Sequence, residues 1–259
     1  MQKLKDETPQ IHELFDQLKL SYRNLNAAFK REKETNKMKS HFFAMASHEF
    51  RSPLTSIQLS ASLVERYYDK MDEQKRTFHL RKIQTAVTDM TAILNDFLSA
   101  EGLENGNMAP VFQEFDLVTF CEDAAQEMQW AAKPQQKILY RHMGKITRVL
   151  LDKNFLKHCI VNLISNAIKY SHETGIIWIE TAMSERSCVI RIRDKGIGIP
   201  KECQDHIFTP FFRATNTADI SGTGLGLNIV KHYVNLMNGK IRFTSAINTG
   251  TTFTIVFRV

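Results

Sequence analysis

Two glycine-rich segments in the last third of the chain have the composition of a phosphate-binding site. They read DKGIGIP at 194–200 and GTGLGL at 222–227, the first after a β-rich run and the second before a helical one. Glycine lets backbone N–H groups approach a phosphate closely, and a helix N-terminus adds a favourable dipole. No Gly-Lys-Ser/Thr follows and the first segment opens no helix, so neither is a Walker loop or a dinucleotide fingerprint. Taken alone, these glycines fit a flexible loop as well as a nucleotide site.

A third segment supplies polar side chains at helical spacing. Asn162 and Asn166 are four residues apart and share one face of a helix, with Lys169 and Tyr170 one turn later. An amide oxygen is a hard ligand suited to Mg²⁺, and a lysine ammonium is a point charge for phosphate. Two asparagines on an ordinary helix surface have the same spacing, so the segment by itself leaves both interpretations open.

The fourth segment, SHEFRSPLT at 47–55, contains a histidine suited to nucleophilic chemistry. Phe50 belongs to an apolar seam described below, which turns His48 toward solvent. An exposed imidazole is partly neutral near pH 7 and therefore nucleophilic, and Glu49 beside it can bind the ring and take up its proton. Pro53 frees the Glu49 carbonyl and should bend the helix there. A lone exposed histidine is usually an ordinary surface residue, so this segment also needs support.

The element that carries the histidine is predicted to be a long helical hairpin. Residues 10–100 contain no glycine and one proline, and the polar stretch Tyr67–Asp72 divides them as a reversing loop. Apolar residues spaced three and four apart form one seam at Phe43, Phe50, Leu54, Ile57, Ala61 and Val64, and another at Leu80, Ile83, Val87, Met90, Leu94 and Phe97. Two such seams favour dimerisation into a four-helix bundle. The same apolar spacing continues toward the N-terminus at Leu14, Leu18 and Leu25, so residues 1–37 are predicted to be a coiled-coil linker.

A second unit follows a linker at 102–110, which is marked by Gly102, Gly106 and Pro110. Helical stretches are predicted at about 117–130, 153–170 and 225–238, and β-rich runs at 176–183, 187–194, 240–246 and 251–259. The last two runs form a hairpin that turns at 248–250. This mixture predicts a two-layer α/β domain.

Composition excludes several classes of protein. The hydrophobic fraction of 43% and the charged fraction of 24% are those of a globular protein, and the +6 charge is dispersed, which argues against a nucleic-acid groove. The four cysteines match no metal-ligand spacing and are expected to be reduced thiols in the cytoplasm. No apolar run reaches the ~18 residues of a membrane span, so any membrane attachment is expected in a sensor region outside this chain.

In this order, the segments resemble the motifs of the sensor histidine kinases of two-component systems. SHEFRSPLT is similar to the phosphoacceptor box, NLISNAIKYS to the asparagine box, DKGIGIP and GTGLGL to the glycine boxes, and IFTPFFR at 207–213 to the phenylalanine box. The resemblance implies an α+β protein. Its dimerisation and phosphoacceptor domain, 38–103, would form a dimeric four-helix bundle. Its ATP-binding domain, 111–259, would be the two-layer Bergerat-type sandwich shared with gyrase and MutL proteins.

The resemblance also implies a role for each motif residue. ATP and Mg²⁺ would be bound by Asn162, Asn166, Lys169, Tyr170, Asp194, Gly196, Gly198, Ile199, Gly222, Thr223, Gly224, Leu225, Gly226, Leu227 and Thr251. Within this set, Asn166 is the implied metal ligand and Asp194 the acceptor for the adenine amino group. His48 would receive the phosphoryl group with Glu49 beside it, while Arg213 would meet the γ-phosphate. The polar stretch Ala214–Ser221 would be a lid over ATP.

The implied partners are a second copy of the chain and the receiver domain of a response regulator, whose aspartate takes the phosphoryl group. Many relatives have Thr or Asn four residues after the histidine, where this chain has Ser52, so phosphatase activity toward the regulator stays open. A chaperone-like or mismatch-repair ATPase is one alternative, although it has no need of SHEFRSPL. A non-catalytic dimeric scaffold is another, although it would be expected to have lost Asn166, Asp194 or the glycines.

Overall fold

The computed structural model describes residues 50–104, 108–217, 220 and 222–258. The chain divides into two compact units, Met1–Ser52 and Pro53–Val259. The predicted coiled-coil linker at 1–37 lies outside the described residues, and so do Phe43, His48 and Glu49. None of the helices in the described ranges is both long enough and apolar enough to cross a bilayer.

The predicted helical hairpin is confirmed. Helix α1 covers residues 50–67, the turn Tyr68–Lys70 reverses the chain, and α2 runs from Glu73 to Glu104. The Asp72 carboxylate accepts the backbone N–H of Lys75 at 2.8 Å, so it satisfies one of the free donors at the start of α2. The prediction that the linker begins at Gly102 is wrong, because α2 continues to Glu104. Near a helix end, one glycine weakens the helix by only about 1 kcal/mol.

The hairpin leaves much of its apolar surface exposed. Ala86 and Ile93 are buried within α2, whereas a larger set keeps about half of its surface accessible: Leu54, Leu59, Phe78, Leu80, Val87, Leu94 and Leu98. Leu80, Val87 and Leu94 are spaced at intervals of seven and belong to the predicted seam. The part of the chain that the structure describes therefore leaves this seam uncovered.

The second domain is built on a five-stranded sheet. In chain order its elements are β1 (Gln113–Asp116), α3 (Leu117–Gln129), β2 (Lys137–Met143), β3 (Arg148–Leu151), α4 (Lys153–Tyr170), β4 (Ile176–Ser184), β5 (Ser187–Arg193), α5 (Gly226–Leu236), β6 (Lys240–Ala246) and β7 (Gly250–Phe257). The strand order is β2-β4-β5-β7-β6, and only the β2–β4 pair is parallel. Strands β1 and β3 form a separate antiparallel pair. Strands β1, β2 and β3 were not among the predicted strands.

The three helices α3, α4 and α5 cover one face of the sheet and form the core with it. Alternate residues of the strands point to the helices, and Ile177, Ile179, Ile190, Ile192, Ile255 and Phe257 are almost completely buried there. Side chains at most of the intervening strand positions point to the other face and stay partly accessible, which is the pattern of a sheet with one covered face. The predicted two-layer α/β sandwich is confirmed.

Both strands of the small sheet lead directly into a helix cap. Asp116 ends β1 and accepts the N–H of Thr119 at 2.8 Å, which caps α3. Asp152 follows β3 and accepts the N–H groups of Asn154 and Phe155, which caps α4. The β1–β3 pairing therefore sets where two of the three core helices begin.

Candidate functional site

A cleft that is open to solvent lies between α4, the start of α5 and the segments that join β5 to α5. Its walls contain every nucleotide-binding residue predicted above except Gly196 and Leu225, and they also contain Arg213. The fold thus brings together residues from 162 to 251 that are far apart in the sequence. The roles of the individual residues remain predictions.

One wall of the cleft is a face of α4 that is held at both ends. Asn162, Asn166 and Lys169 line the cleft from successive turns of this helix. Its N-terminus is capped by Asp152, and at its C-terminus the buried Gln136 donates to the carbonyls of Ile168 and His172 at 3.1 and 3.0 Å. Bonds at both ends restrict movement of the helix, so its polar face keeps its place on the wall.

Asn162 is itself held in one orientation by its neighbours. Its Nδ2 donates to the carbonyl oxygen of His158 at 3.2 Å, and its Oδ1 lies so close to Gly226 that a Cβ there would overlap it. This contact brings the start of α5 against α4. The free N–H groups of the first turn of α5 therefore lie at the cleft, where Gly226 and Leu227 line it.

Asp194 places a buried carboxylate inside the cleft. Its Oδ1 accepts the N–H of Gly196 at 2.8 Å and that of Thr251 at 3.3 Å, whereas Oδ2 accepts no hydrogen bond from the described residues. Burial raises the pKa of Asp194 above its ordinary value, and the two backbone donors oppose that shift. One oxygen is thus fixed by the backbone, which leaves the other to meet a donor on a bound molecule.

Gly196 and Leu225 do not line the cleft, and nucleotide contact by either residue stays a prediction. A Cβ at Gly196 would overlap the carbonyl oxygen of Tyr170, because the two backbones are paired there in an isolated bridge involving Ser171. Leu225 is 1% exposed and belongs to the core, and its N–H donates to Thr223 Oγ1 at 3.2 Å. Glycine is needed at 196 for chain packing, and leucine at 225 for the hydrophobic core.

Arg213 reaches the chain segment that follows it. Its Nη2 donates to the carbonyl oxygen of Thr217 at 2.7 Å and also to that of Ile220, while Nε is buried and has no partner among the described residues. The predicted lid starts with an ordered 3₁₀ turn, Thr215–Thr217, and Thr217 is buried in the cleft wall. Burial raises the pKa of Tyr170, and the charge of Arg213 opposes this shift.

Several wall residues were missed by the sequence prediction. They are mostly apolar and come from separate segments: Ser165, Ile197, Ile207, Phe212 and Phe253. Ala214 and Thr217 on the same wall belong to the predicted lid. Ser165 had a detectable signal, because it lies three residues after Asn162 on the same helix face. Ile207 and Phe212 lie within the IFTPFFR segment that was matched as a whole. Ile197 lies within the DKGIGIP segment, which was also matched as a whole. Phe253 has no local signal, since the pairing of β5 with β7 brings it to the cleft.

The sequence matches two protein families. Residues 38–106 match the family described as His Kinase A (phospho-acceptor) domain, and residues 151–259 match the family described as Histidine kinase-, DNA gyrase B-, and HSP90-like ATPase. His48 lies in the first range. The residues of the cleft, from Asn162 to Phe253, all lie in the second.

Individual relatives agree with these matches. The chain is 30% identical over 237 residues to an uncharacterized sensor-like histidine kinase, ycf26, of Pyropia yezoensis, and 32% identical over 262 residues to the signal transduction histidine-protein kinase BarA of Escherichia coli (strain K12). The alignments cover 86% and 95% of this chain but only 36% and 27% of those relatives. The chain therefore spans about a third of their length or less.

A solved structure shares the fold. The histidine kinase ThkA, in its complex with the response regulator protein TrrA, has a TM-score of 0.60 at 22% identity, over 87% of this chain and 63% of that chain. The two matched ranges contain all five motifs described above. The resemblance seen in the motifs is therefore confirmed, and the chain belongs to the histidine kinases, with their phosphoacceptor and ATP-binding domains.

Proposed function

We propose that this chain uses ATP to phosphorylate its own His48 and passes the phosphoryl group to an aspartate of a response regulator. The observation that carries the proposal is the cleft itself. It combines a buried carboxylate, a polar helix face and the start of α5 in one place. His48 lies within the matched phospho-acceptor family.

The cleft has the chemical groups that ATP requires. The unpaired Oδ2 of Asp194 is suited to the amino group of adenine, and the apolar residues Ile199, Ile207 and Phe253 offer surface for the base. The first N–H groups of α5 and the ammonium of Lys169 are suited to phosphate oxygens. Arg213, with its buried and unpaired Nε, adds a further donor on the same wall.

Asn166 is the residue that would hold Mg²⁺. Within the described part of the chain, no group of three His, Cys, Asp or Glu side chains is arranged to hold a metal ion. Mg²⁺ is commonly bound by one or two protein oxygens together with substrate phosphates and water, so an amide oxygen on the α4 wall fits that mode. When bound, the ion neutralises charge on the phosphates.

In the proposed reaction an imidazole nitrogen of His48 forms a bond to the γ-phosphorus of ATP. The bond from that phosphorus to the bridging oxygen breaks, and ADP leaves. Glu49 orients the imidazole and accepts its proton, while Lys169 and Arg213 balance the charge of the transferred group. Such transfers depend mainly on positioning and charge neutralisation. The aspartate of the regulator then takes the phosphoryl group and regenerates the histidine.

The active form is proposed to be a dimer. Leu80, Val87 and Leu94 expose an apolar seam along α2 that a second hairpin would cover as a four-helix bundle. ThkA was solved in complex with a response regulator. This supports a receiver domain as the partner here, and we place its docking surface on the hairpin. Ser52, which is exposed on α1, would hold water during any dephosphorylation of the regulator.

The test is incubation with γ-labelled ATP and Mg²⁺. The native chain is compared with His48→Gln and with His172→Gln, which changes an exposed histidine of the second domain. We expect acid-labile, alkali-stable label on the native chain and on His172→Gln, but none on His48→Gln. Label that survives in His48→Gln would show that another residue is the acceptor. ATP binding without label on any protein would favour the ATPase or scaffold alternative.

A further inference from the structure

The carboxylate of Asp152 joins the interdomain linker to a wall of the cleft. Asp152 is 4% exposed. Its Oδ1 accepts the N–H groups of Asn154 and Phe155, both at 2.9 Å, and its Oδ2 accepts the N–H of Val111 at 2.7 Å. Three donors satisfy the buried charge. Two of these bonds cap α4, and the third holds the segment that leads from the hairpin into β1.

A second contact ties the same segment to α5. The hydroxyl of Tyr233 donates to the Sδ of Met108 at 4.0 Å, and the Tyr233 ring stacks on Phe155 with 4.3 Å between centroids and 7° between planes. Phe155 is also one of the residues capped by Asp152. The linker is therefore held by the two helices, α4 and α5, that line the cleft.

We propose that Asp152 is a positioning residue for the kinase reaction. By holding Val111 it fixes the linker to α4, and we expect loss of this bond to slow transfer of the phosphoryl group to His48. The inference rests on the function proposed above. Transfer requires the reacting atoms to come within about 3–3.5 Å in line, so a looser attachment reduces the time spent in the productive orientation. Binding of ATP, which involves α4 from Asn162 onward, does not require the bond between Asp152 and Val111.

Asp152→Asn is designed to remove the bond to Val111 while the two bonds that cap α4 are kept. Asparagine is as good a helix cap as aspartate, so its one remaining oxygen can keep the N–H groups of Asn154 and Phe155. Its amide nitrogen then faces the N–H of Val111, donor against donor. If the amide were turned the other way, the bond to Val111 would be kept and both bonds that cap α4 would be lost. We therefore expect the first orientation, in which only the bond to Val111 is lost.

Val111 provides an independent way to remove the same bond. Its side chain is 72% exposed, so the backbone N–H is its main contact with the fold. Val111→Pro removes that N–H, and Val111→Ala keeps it as the matched control. If both variants act through one bond, Asp152→Asn and Val111→Pro together should have no more effect than either change alone.

We expect the single-turnover rate of His48 labelling to fall about tenfold in Asp152→Asn and in Val111→Pro, since a bond to a charged group is lost from the productive state. The KM for ATP and the thermal midpoint should stay near those of Val111→Ala. Amide hydrogen exchange at Val111 should become faster in Asp152→Asn, a readout that does not depend on kinase activity.

Three results would overturn the proposal: a native rate in Asp152→Asn, multiplicative effects in the double variant, or a rise in KM as large as the fall in rate. Failure of the proposed function gives a different result, because the native chain would then carry no label on His48. The exchange of the Val111 amide would still report whether Asp152 holds the linker.

Discussion

At the scale of single residues, Asp194 links the choice of base to pH. Its Oδ1 is occupied by two backbone donors, so in the proposed role the ionised carboxylate would accept the adenine amino group at Oδ2. Burial raises the pKa of this carboxyl, so it takes up a proton at a higher pH than an exposed aspartate. We expect ATP affinity to be constant above that raised pKa and to fall as the pH falls through it. Calorimetric titration across the acidic range measures this.

Linkage gives Asp194 the opposite effect on folding. Because its folded pKa is above its unfolded pKa, the group contributes stability below the unfolded value, and this contribution is lost as the pH rises through the folded value. Ligand binding and stability should therefore respond to acid in opposite directions at this residue. The pH dependence of ATP affinity and of stability is assigned to Asp194 only where it disappears in Asp194→Asn.

Asp194→Asn should also change base selectivity. With asparagine, the carbonyl oxygen can keep the backbone N–H groups, and the amide nitrogen then faces the base. That nitrogen repels the amino group of adenine but can donate to the O6 of guanine. We expect ATP affinity to fall roughly 30-fold, since a charged hydrogen bond is worth about 2 kcal/mol, and the preference over GTP to shrink. Asp123→Asn, on the exposed side of α3, is the control. Unchanged preference in Asp194→Asn would remove this carboxylate from base recognition.

The residue scale also shows where motif reasoning stops. The polar wall residues could be predicted because their chemistry and helical spacing are visible in the sequence, as at Asn162 and Asn166. Gly196 and Leu225 share the motifs and also have contacts that the fold needs, since one allows close approach to the Tyr170 backbone and the other fills the core. A motif marks both kinds of residue, and only the three-dimensional contacts separate them.

At the scale of elements, the helices and strands that could be predicted are those whose apolar periodicity is visible within a short stretch of sequence. The three core helices and strands β4 to β7 have clear periodicity, and the structure has them close to the predicted bounds. Strands β1 and β3 have four residues each and pair with each other across more than thirty positions, so their stability depends on tertiary contacts. Strand β2 is an edge strand with charged residues on its open face, including Lys137 and Arg141. Its seven residues include three that are basic, Lys137, Arg141 and His142, which weakens the alternation of apolar and polar side chains.

The exposed seam of α2 makes a prediction about assembly. Leu94 is 48% exposed in the single chain and lies in the seam with Leu80 and Val87. Burying a charge there without a partner costs several kcal/mol per site, and two-fold symmetry doubles the cost. We expect Leu94→Glu to weaken the dimer by at least about 100-fold, measured by sedimentation equilibrium. Asn95→Glu adds the same charge to the neighbouring exposed position. Equal dimer affinity in Leu94→Glu and the native chain would place the interface elsewhere.

At the scale of the whole molecule, the chain divides its work between two regions. The apolar seam proposed for dimerisation is on α1 and α2, whereas the groups proposed to bind ATP come from residues 162 to 253 of the second domain. The two regions share no side chains. A change confined to the cleft is therefore expected to abolish phosphorylation and leave the dimer intact.

Asn166→Ala tests this division directly. The substitution removes the amide oxygen proposed to hold Mg²⁺, so charge on the phosphates is no longer neutralised at that wall. We expect labelling of His48 to fall by at least about 100-fold, a loss comparable to removing one preorganised electrostatic group from an active site. Asn154→Ala, exposed on the first turn of the same helix, should label normally. Sedimentation of Asn166→Ala should still show dimers. Monomers would mean that the cleft and the hairpin depend on each other for assembly, and the two regions would then have to be treated as one cooperative unit.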